Sequence, residues 1–213
     1  LVSGVAQVTG GHHHSLILKT DGSLNAFGRN DSGQLGDGTN TDRYTPTQIL
    51  SSGIAQIAAG AWHSLIVMTN GSLRSFGKNH WGQLGDGTNT DRYTPTEILA
   101  SGVAKVACGY SHSIILKTDG SPYAFGKNTK GQLGDGTTTV KNTPTQILTS
   151  GVAQVAAGQF HSLILKNDGS LHAFGKNTNG QLGDGTTTDK HLPIQIFLPA
   201  PPHGGTQVVG TTN

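Results

Sequence analysis

The sequence predicts an all-β chain made of four copies of one four-stranded sheet, and three observations carry that prediction. The text repeats itself at a fixed period, the apolar runs inside each copy are short and bounded by turn residues, and glycine supplies 32 of the 213 residues while only 12% are charged. Glycine at about twice its usual share, with charge at about half, disfavours a helix-rich domain.

The period is 49 residues, read from His14, His63, His112 and His161, and equally from Phe27, Phe76, Phe125 and Phe174. GQLGDG blocks beginning at Gly33, Gly82, Gly131 and Gly180 keep the same step. Four repeats, approximately 4–52, 53–101, 102–150 and 151–199, place a repeat domain over residues 1–198. A Pro/Gly-rich tail follows at 199–213. Internal repetition at this period is the mark of solenoids and propellers.

Each repeat yields four strands in order. The first, VAQVTG in repeat one, alternates Val with small or polar residues and suits a crowded inner position. HSLILK forms the second and SLNAFGRN the third. They are joined through Asp21-Gly22, Asn70-Gly71, Asp119-Gly120 and Asp168-Gly169, dipeptides that supply positive φ in tight hairpin turns. TPTQIL is the fourth, with Pro46, Pro95, Pro144 and Pro193 at its start, where an edge tolerates the missing N–H. Four antiparallel strands repeated radially bury both faces of every sheet, which makes each repeat a blade of a β-propeller. At one first-strand position the repeats show Gly10, Ala59, Cys108 and Ala157, so the lone cysteine reads as a packed small side chain, and it rules out an internal disulfide.

The spaced signature is G-x-x-H-S, an apolar strand, D-G, an aromatic-Gly pair, N-x-x-G-Q-L-G-x-G and T-P. In this the chain resembles the RCC1 repeat family, the regulator-of-chromosome-condensation propellers, over about residues 4–197. The resemblance implies a propeller used mainly as a protein-binding scaffold. Some members act as guanine-nucleotide exchange factors, and a bacterial relative inhibits β-lactamases. Exchange activity is disfavoured by the four blades and the lack of a characteristic acidic insertion. Phe27 and its counterparts stand where the family often has Trp. The family's rings commonly have seven blades, and this chain supplies four. Seven blades turn about 51° each, eight about 45° and four about 90°. Three arrangements follow: a homodimer closing an eight-bladed ring, a truncated open fragment, and a compact four-bladed monomer. The absence of an initiator Met at Leu1 reads as a trimmed or excised piece. Residues Thr206 to Val209 could add a strand to a neighbouring edge.

Charge excludes some partners. Fourteen basic residues against twelve acidic ones give a formal +2, too even for a nucleic-acid groove or a polybasic membrane patch. No run of eighteen apolar residues exists to cross a bilayer as a helix. The expectation is therefore a protein partner of unknown identity, with neither nucleic acid nor membrane involved; the compartment is not legible.

Variation between repeats locates a candidate site. In a meander the first–second and third–fourth connections share one face. The first–second tips read His12-His13, Ala61-Trp62, Tyr110-Ser111 and Gln159-Phe160; the third–fourth tips read Asp31-Ser32, His80-Trp81, Thr129-Lys130 and Thr178-Asn179. The other turns hardly change. Diverse loops on a constant frame, rich in aromatics, are expected of a binding surface. The candidate partner-binding residues are His12, His13, Asp31, Trp62, His80, Trp81, Tyr110, Lys130, Phe160 and Asn179. Drift at tolerant loop tips is the plain alternative.

Other chemistries are weaker. His14, His63, His112 and His161 could converge on an axis and hold a metal, but their place in the repeat motif assigns them a hydrogen bond locking the first loop. The triplet His12-His13-His14 has chelating composition, yet neighbouring side chains in extended backbone point apart. The glycine blocks lack the Lys-Ser/Thr of a phosphate loop. DGTNTD at 37–42 and 86–91 misses the spacing of a calcium loop, and repeat three has Val140 at its last acidic position. Ser15 and its equivalents follow a His but face the opposite side of the strand. No cofactor and no catalytic residue are assigned. The reading leans to a non-enzymatic scaffold over a metal-assisted hydrolase using loop histidines, or a recently amplified or artificial repeat array without a dedicated ligand.

Overall fold

The computed structural model describes residues 4–197, so the tail and the additional strand considered at Thr206 to Val209 lie outside the described residues. Blade 1 comprises β1 (Val5–Gly10), β2 (His14–Lys19), β3 (Leu24–Gly28) and β4 (Arg43–Leu50). Blade 2 comprises β5 (Ile54–Ala59), β6 (His63–Met68), β7 (Leu73–Gly77) and β8 (Arg92–Leu99). Blade 3 follows as β9 (Val103–Cys108), β10 (His112–Lys117), β11 (Pro122–Gly126) and β12 (Lys141–Gln146). Blade 4 is β13 (Val152–Ala157), β14 (His161–Lys166), β15 (Leu171–Gly175) and β16 (Lys190–Ile196). Each blade is an antiparallel meander with its strands in chain order. No helix occurs among the described residues.

Two boundaries differ from the sequence expectation. The third strand is only five residues, because Gly28 takes φ +107° and turns the chain towards the carbonyl of His13. The fourth begins at Arg43, two residues before the predicted TPTQIL, so Pro46 lies inside the strand. That is tolerated because β4 is the outer edge of its sheet, where a proline costs no ladder bond on the open side.

The core lies between blades. One cluster joins Leu16, Leu18 and Leu24 of blade 1 to Ile54, Ile57, Ile66 and Phe76 of blade 2, and equivalent clusters fill the two following boundaries. In β2 and its relatives alternate residues face alternate neighbours, as a strand period of two requires. Phe76 sits on the missing side chain of Gly36 in the preceding blade: a Cβ there would come within 2.8 Å of the ring. Phe125 on Gly85 and Phe174 on Gly134 repeat this contact at 2.8 and 2.7 Å. The glycine block is thus a socket for the next blade's aromatic residue.

The inner strands follow one another as β1, β5, β9, β13. Among the described residues the two ends do not meet. Val8 is 68% exposed, whereas its counterpart Ile57 is 2% exposed and Val106 is 7% exposed. The compact four-bladed ring is therefore corrected to an open arc: blades shaped to bury Phe76 against Gly36 diverge too gently for four of them to close.

The repeated histidines are also reassigned. The first loop is closed by the histidine backbone, Gly11 N donating to His14 O at 2.8 Å, and the side chain goes elsewhere. His14 Nε2 pairs with Ser64 Oγ at 2.9 Å, His63 with Ser113 at 2.9 Å, and His112 with Ser162 at 3.0 Å, each in the following blade. Serine and histidine do pair, then, but across blades and away from solvent.

Candidate functional site

The first loops of the four blades gather around the hub on one face. Trp62 O accepts from Lys78 N at 2.8 Å, and the same bond joins His13 to Arg29, Ser111 to Lys127 and Phe160 to Lys176, so every first loop is tied to the base of its blade's third loop. The third loop is held in turn by a buried asparagine. In blade 2, Asn79 Nδ2 donates to Asp86 Oδ1 at 2.9 Å and to the Thr88 and Thr90 carbonyls, while its Oδ1 accepts from Leu84 N at 3.0 Å. Asp86 also accepts from Thr88 Oγ1 and from Arg92, 2.6 Å away. Burial works against its ionised form, but these donors outweigh it and hold the carboxyl below the usual range. The acidic residues of DGTNTD are thereby spent on the loop's own frame.

The aromatic tips form a connected arc. His13 and Trp62 have ring centroids 5.3 Å apart, His12 and Trp62 5.8 Å, His12 and Tyr110 6.0 Å, and Tyr110 and Phe160 5.7 Å. His12 and His13, expected to diverge, instead lie with rings 4.4 Å apart, because the loop bends there; only His14 turns inward. Trp81 joins from the third loop of blade 2: Lys127 Nζ lies 4.5 Å from its ring and 5.8 Å from that of Phe160. Both tryptophans thus face the same side as Phe160. Asp31 is attached through Arg29, 2.6 Å away, whose guanidinium stands 4.7 Å from the Trp62 ring. Lys130 reaches Asp189 of blade 4 at 3.5 Å. His80 and Asn179 are exposed on their tips and contribute their backbone, His80 O accepting from Asn89 and Asn179 N donating to Gln181; among the described residues no ring contact links them to the arc.

Sequence reasoning missed the cations. Arg29, Lys78, Lys127 and Lys176 occupy one repeat position, and each stands within 6 Å of an aromatic ring. A positive charge after Phe-Gly in all four copies was the available signal. Among the described residues, no carboxylate lies within 4 Å of Lys78, Lys127 or Lys176.

Metal-ligating groups are not concentrated here: no cluster of three or more occurs among the described residues. Burial drives the His63 and His112 pKa values down to about 3 and that of His14 to about 4, with neighbouring histidines adding to the effect. Cys108 lines the hub cleft with Ala59 and Ala157, and desolvation pushes its thiol pKa up. A poorly ionised thiol is a poor nucleophile.

Sixteen strands in four radial meanders, with a loop face of aromatics and cations, define a β-propeller with a candidate protein-binding face. The chain belongs to the RCC1-like domain family, whose model matches residues 1–211. It is similar to human WBSCR16, with a TM-score of 0.82 and 29% identity, over 92% of this chain and 53% of that one. It shares the fold of Prp20p from Saccharomyces cerevisiae, with a TM-score of 0.83 and 23% identity, over 92% of this chain and 51% of that one. That yeast structure is described with its binding to Gsp1p and histones, and another shows yeast RCC1 (Prp20) bound by Kap60. A 47-residue stretch, 22% of the chain, is 40% identical to 11% of the Arabidopsis thaliana ultraviolet-B receptor UVR8. The chain thus spans about half the length of its structural relatives.

Proposed function

We propose that this chain is a non-enzymatic binding module whose protein partner docks on the face carrying Trp62, Trp81, Tyr110 and Phe160. One observation carries the reading: a connected arc of aromatic rings, flanked by lysines that have no carboxylate within 4 Å among the described residues, on loops fixed by buried hydrogen bonds. Rigid aromatic residues make low-entropy anchors, and the lysines around them favour a partner presenting acidic residues beside apolar ones. Kap60, Gsp1p and histones, the proteins associated with the yeast neighbour, support the class of function, a propeller bound by other proteins.

The test is capture of binding proteins by the wild-type chain beside a Trp62→Ala/Trp81→Ala variant. A true partner loses on the order of 2 kcal/mol or more, roughly thirtyfold in affinity. Equal capture of every bound protein by both forms removes the assignment.

A further inference from the structure

The second residue of each first-loop tip is His13, Trp62, Ser111 or Phe160, so in blade 3 alone it carries no ring. The backbone there is unchanged, since Ser111 O accepts from Lys127 N at 2.8 Å just as Trp62 O accepts from Lys78 N. The Ser111 side chain therefore leaves the loop where a ring leaves it in the blades on either side.

Those rings separate cations. Trp62 stands between the charges of blades 1 and 2, 4.7 Å from the Arg29 guanidinium and 5.9 Å from Lys78 Nζ. Phe160 stands in the same way between those of blades 3 and 4, 5.8 Å from Lys127 Nζ and 5.6 Å from Lys176 Nζ. By the same repeat geometry Ser111 falls between Lys78 and Lys127, with no ring to separate them. At the neighbouring tip position the small Ala61 is bridged, His12 of blade 1 and Tyr110 of blade 3 meeting with centroids 6.0 Å apart. Among the described residues no ring contact joins Trp62 to Phe160 across Ser111.

Ser111 is 5% exposed, and its hydroxyl makes no hydrogen bond among the described residues, whereas Ser113, two residues on, donates to Gln83 O and accepts from His63. A buried hydroxyl without a partner is costly, and a ligand atom that bonds to it relieves that cost. Lys78 and Lys127 have no carboxylate within 4 Å among the described residues. Trp81 borders the place from the third loop, its ring 4.5 Å from Lys127 Nζ.

We propose that Ser111, Lys78 and Lys127 form a receptor for one carboxylate side chain, Glu or Asp, of the protein partner. The inference rests on the partner-binding reading of this face and assigns it a specificity position. All three polar groups donate, and a carboxylate offers about four lone-pair sites to accept. Trp62 and Phe160 cover the methylene stem, and the charge-assisted bonds gain strength beside their apolar rings. A glutamine of the same shape would turn an N–H towards one of the donors, so the site tells acid from amide.

The experiment titrates the full chain with two capped peptides, Phe-Glu-Phe and Phe-Gln-Phe, and follows the fluorescence of Trp62 and Trp81, the two tryptophans of the chain. The expected result is a preference for Glu of about tenfold, falling to about twofold or less in Lys78→Met, Lys127→Met and Ser111→Phe. Ser111→Phe supplies the ring that blade 4 carries, and the two lysine variants keep the test sound if that ring is not accommodated. Lys105→Met removes the same charge from the exposed side of β9 and retains the wild-type preference. Absence of binding, or equal binding of both peptides, overturns the receptor. So does an equal loss in Lys105→Met, which shows attraction by net charge alone. A phosphoserine peptide bound more tightly than Phe-Glu-Phe, through the same residues, assigns the place to phosphate and overturns the carboxylate. The broader reading fails separately, when protein capture is indifferent to Trp62→Ala/Trp81→Ala. Capture that still needs those tryptophans, without a preference for Glu, removes the receptor alone.

Discussion

Across the boundary between blades 2 and 3, the imidazole of His63 donates from Nε2 to Ser113 Oγ at 2.9 Å, although the residues stand 50 apart in the chain. The serine hydroxyl has one proton, and that proton goes to Gln83 O at 2.8 Å. The histidine must therefore supply its own N–H, which fixes the neutral Nε2–H tautomer. Both side chains are fully buried. A chain of donor to acceptor thus runs from one blade into the next and back, and the same chain recurs at the other two boundaries.

Acid should open the molecule through these histidines. Their folded pKa values of about 3 to 4 lie below the unfolded value of about 6.5, so between these limits the unfolded chain binds more protons. Stability is then complete above about pH 6.5 and falls as the pH drops towards 3, by roughly 1.4 kcal/mol per pH unit for each histidine. Below about pH 4, protonation of Asp37, Asp86 and Asp135, all held under the usual carboxylate range despite partial burial, adds to the loss. Urea midpoints taken from pH 7 to pH 4 check this. A His63→Gln variant should show a shallower dependence over that range.

Gly85→Ala should cost about 2–4 kcal/mol, because its Cβ would lie 2.8 Å from the Phe125 ring in addition to the strain of φ +77°. Gly102→Ala has nearly the same backbone, φ +82°, and nothing within 4 Å, so it should lose only about 1 kcal/mol. The gap between the two, read from chemical unfolding, measures the socket.

Removing the Asn79 amide should loosen the third loop of blade 2. Asn79→Ala leaves buried Leu84 N without its acceptor and takes one donor from Asp86 and from the Thr88 and Thr90 carbonyls, at about 2–4 kcal/mol in total. Faster hydrogen exchange should appear in residues 79–91 before the strands of blade 2 are affected. Asn89→Ala, at an exposed tip, should change stability by less than about 0.5 kcal/mol.

Lys127→Met separates binding from folding. The ammonium bridges Trp81 and Phe160, a contact worth about 0.5–1 kcal/mol at an exposed site. Its removal should lower the melting temperature slightly while reducing affinity for an acidic partner and flattening the salt dependence of binding. An unchanged salt profile would show that the lysine does not meet the partner.

Much of this architecture was readable from spacing. Period, strand order and the single variable face follow from residues that recur every 49 positions, since a strand shows its period over a few residues and a loop shows its freedom by varying. The repeated cation beside each aromatic tip was overlooked because invariance resembles scaffold, and only the distance from Lys127 to Trp81 and Phe160 reveals its place on the face. The fate of His63 was equally hidden: a strand pattern says that a side chain points to one side, without saying what arrives there from another blade.

The sequence by itself determined four like meanders, their glycine turns and the face on which difference collects, all of them local consequences of side-chain alternation and backbone sterics. Tertiary structure alone decided the angle between blades, because that angle is set by how Phe76 fills the space above Gly36 and how His14 reaches Ser64. Such contacts join residues some 40 to 50 positions apart and depend on packing volume, which no short window of sequence contains. From that angle follows the open arc of the described residues.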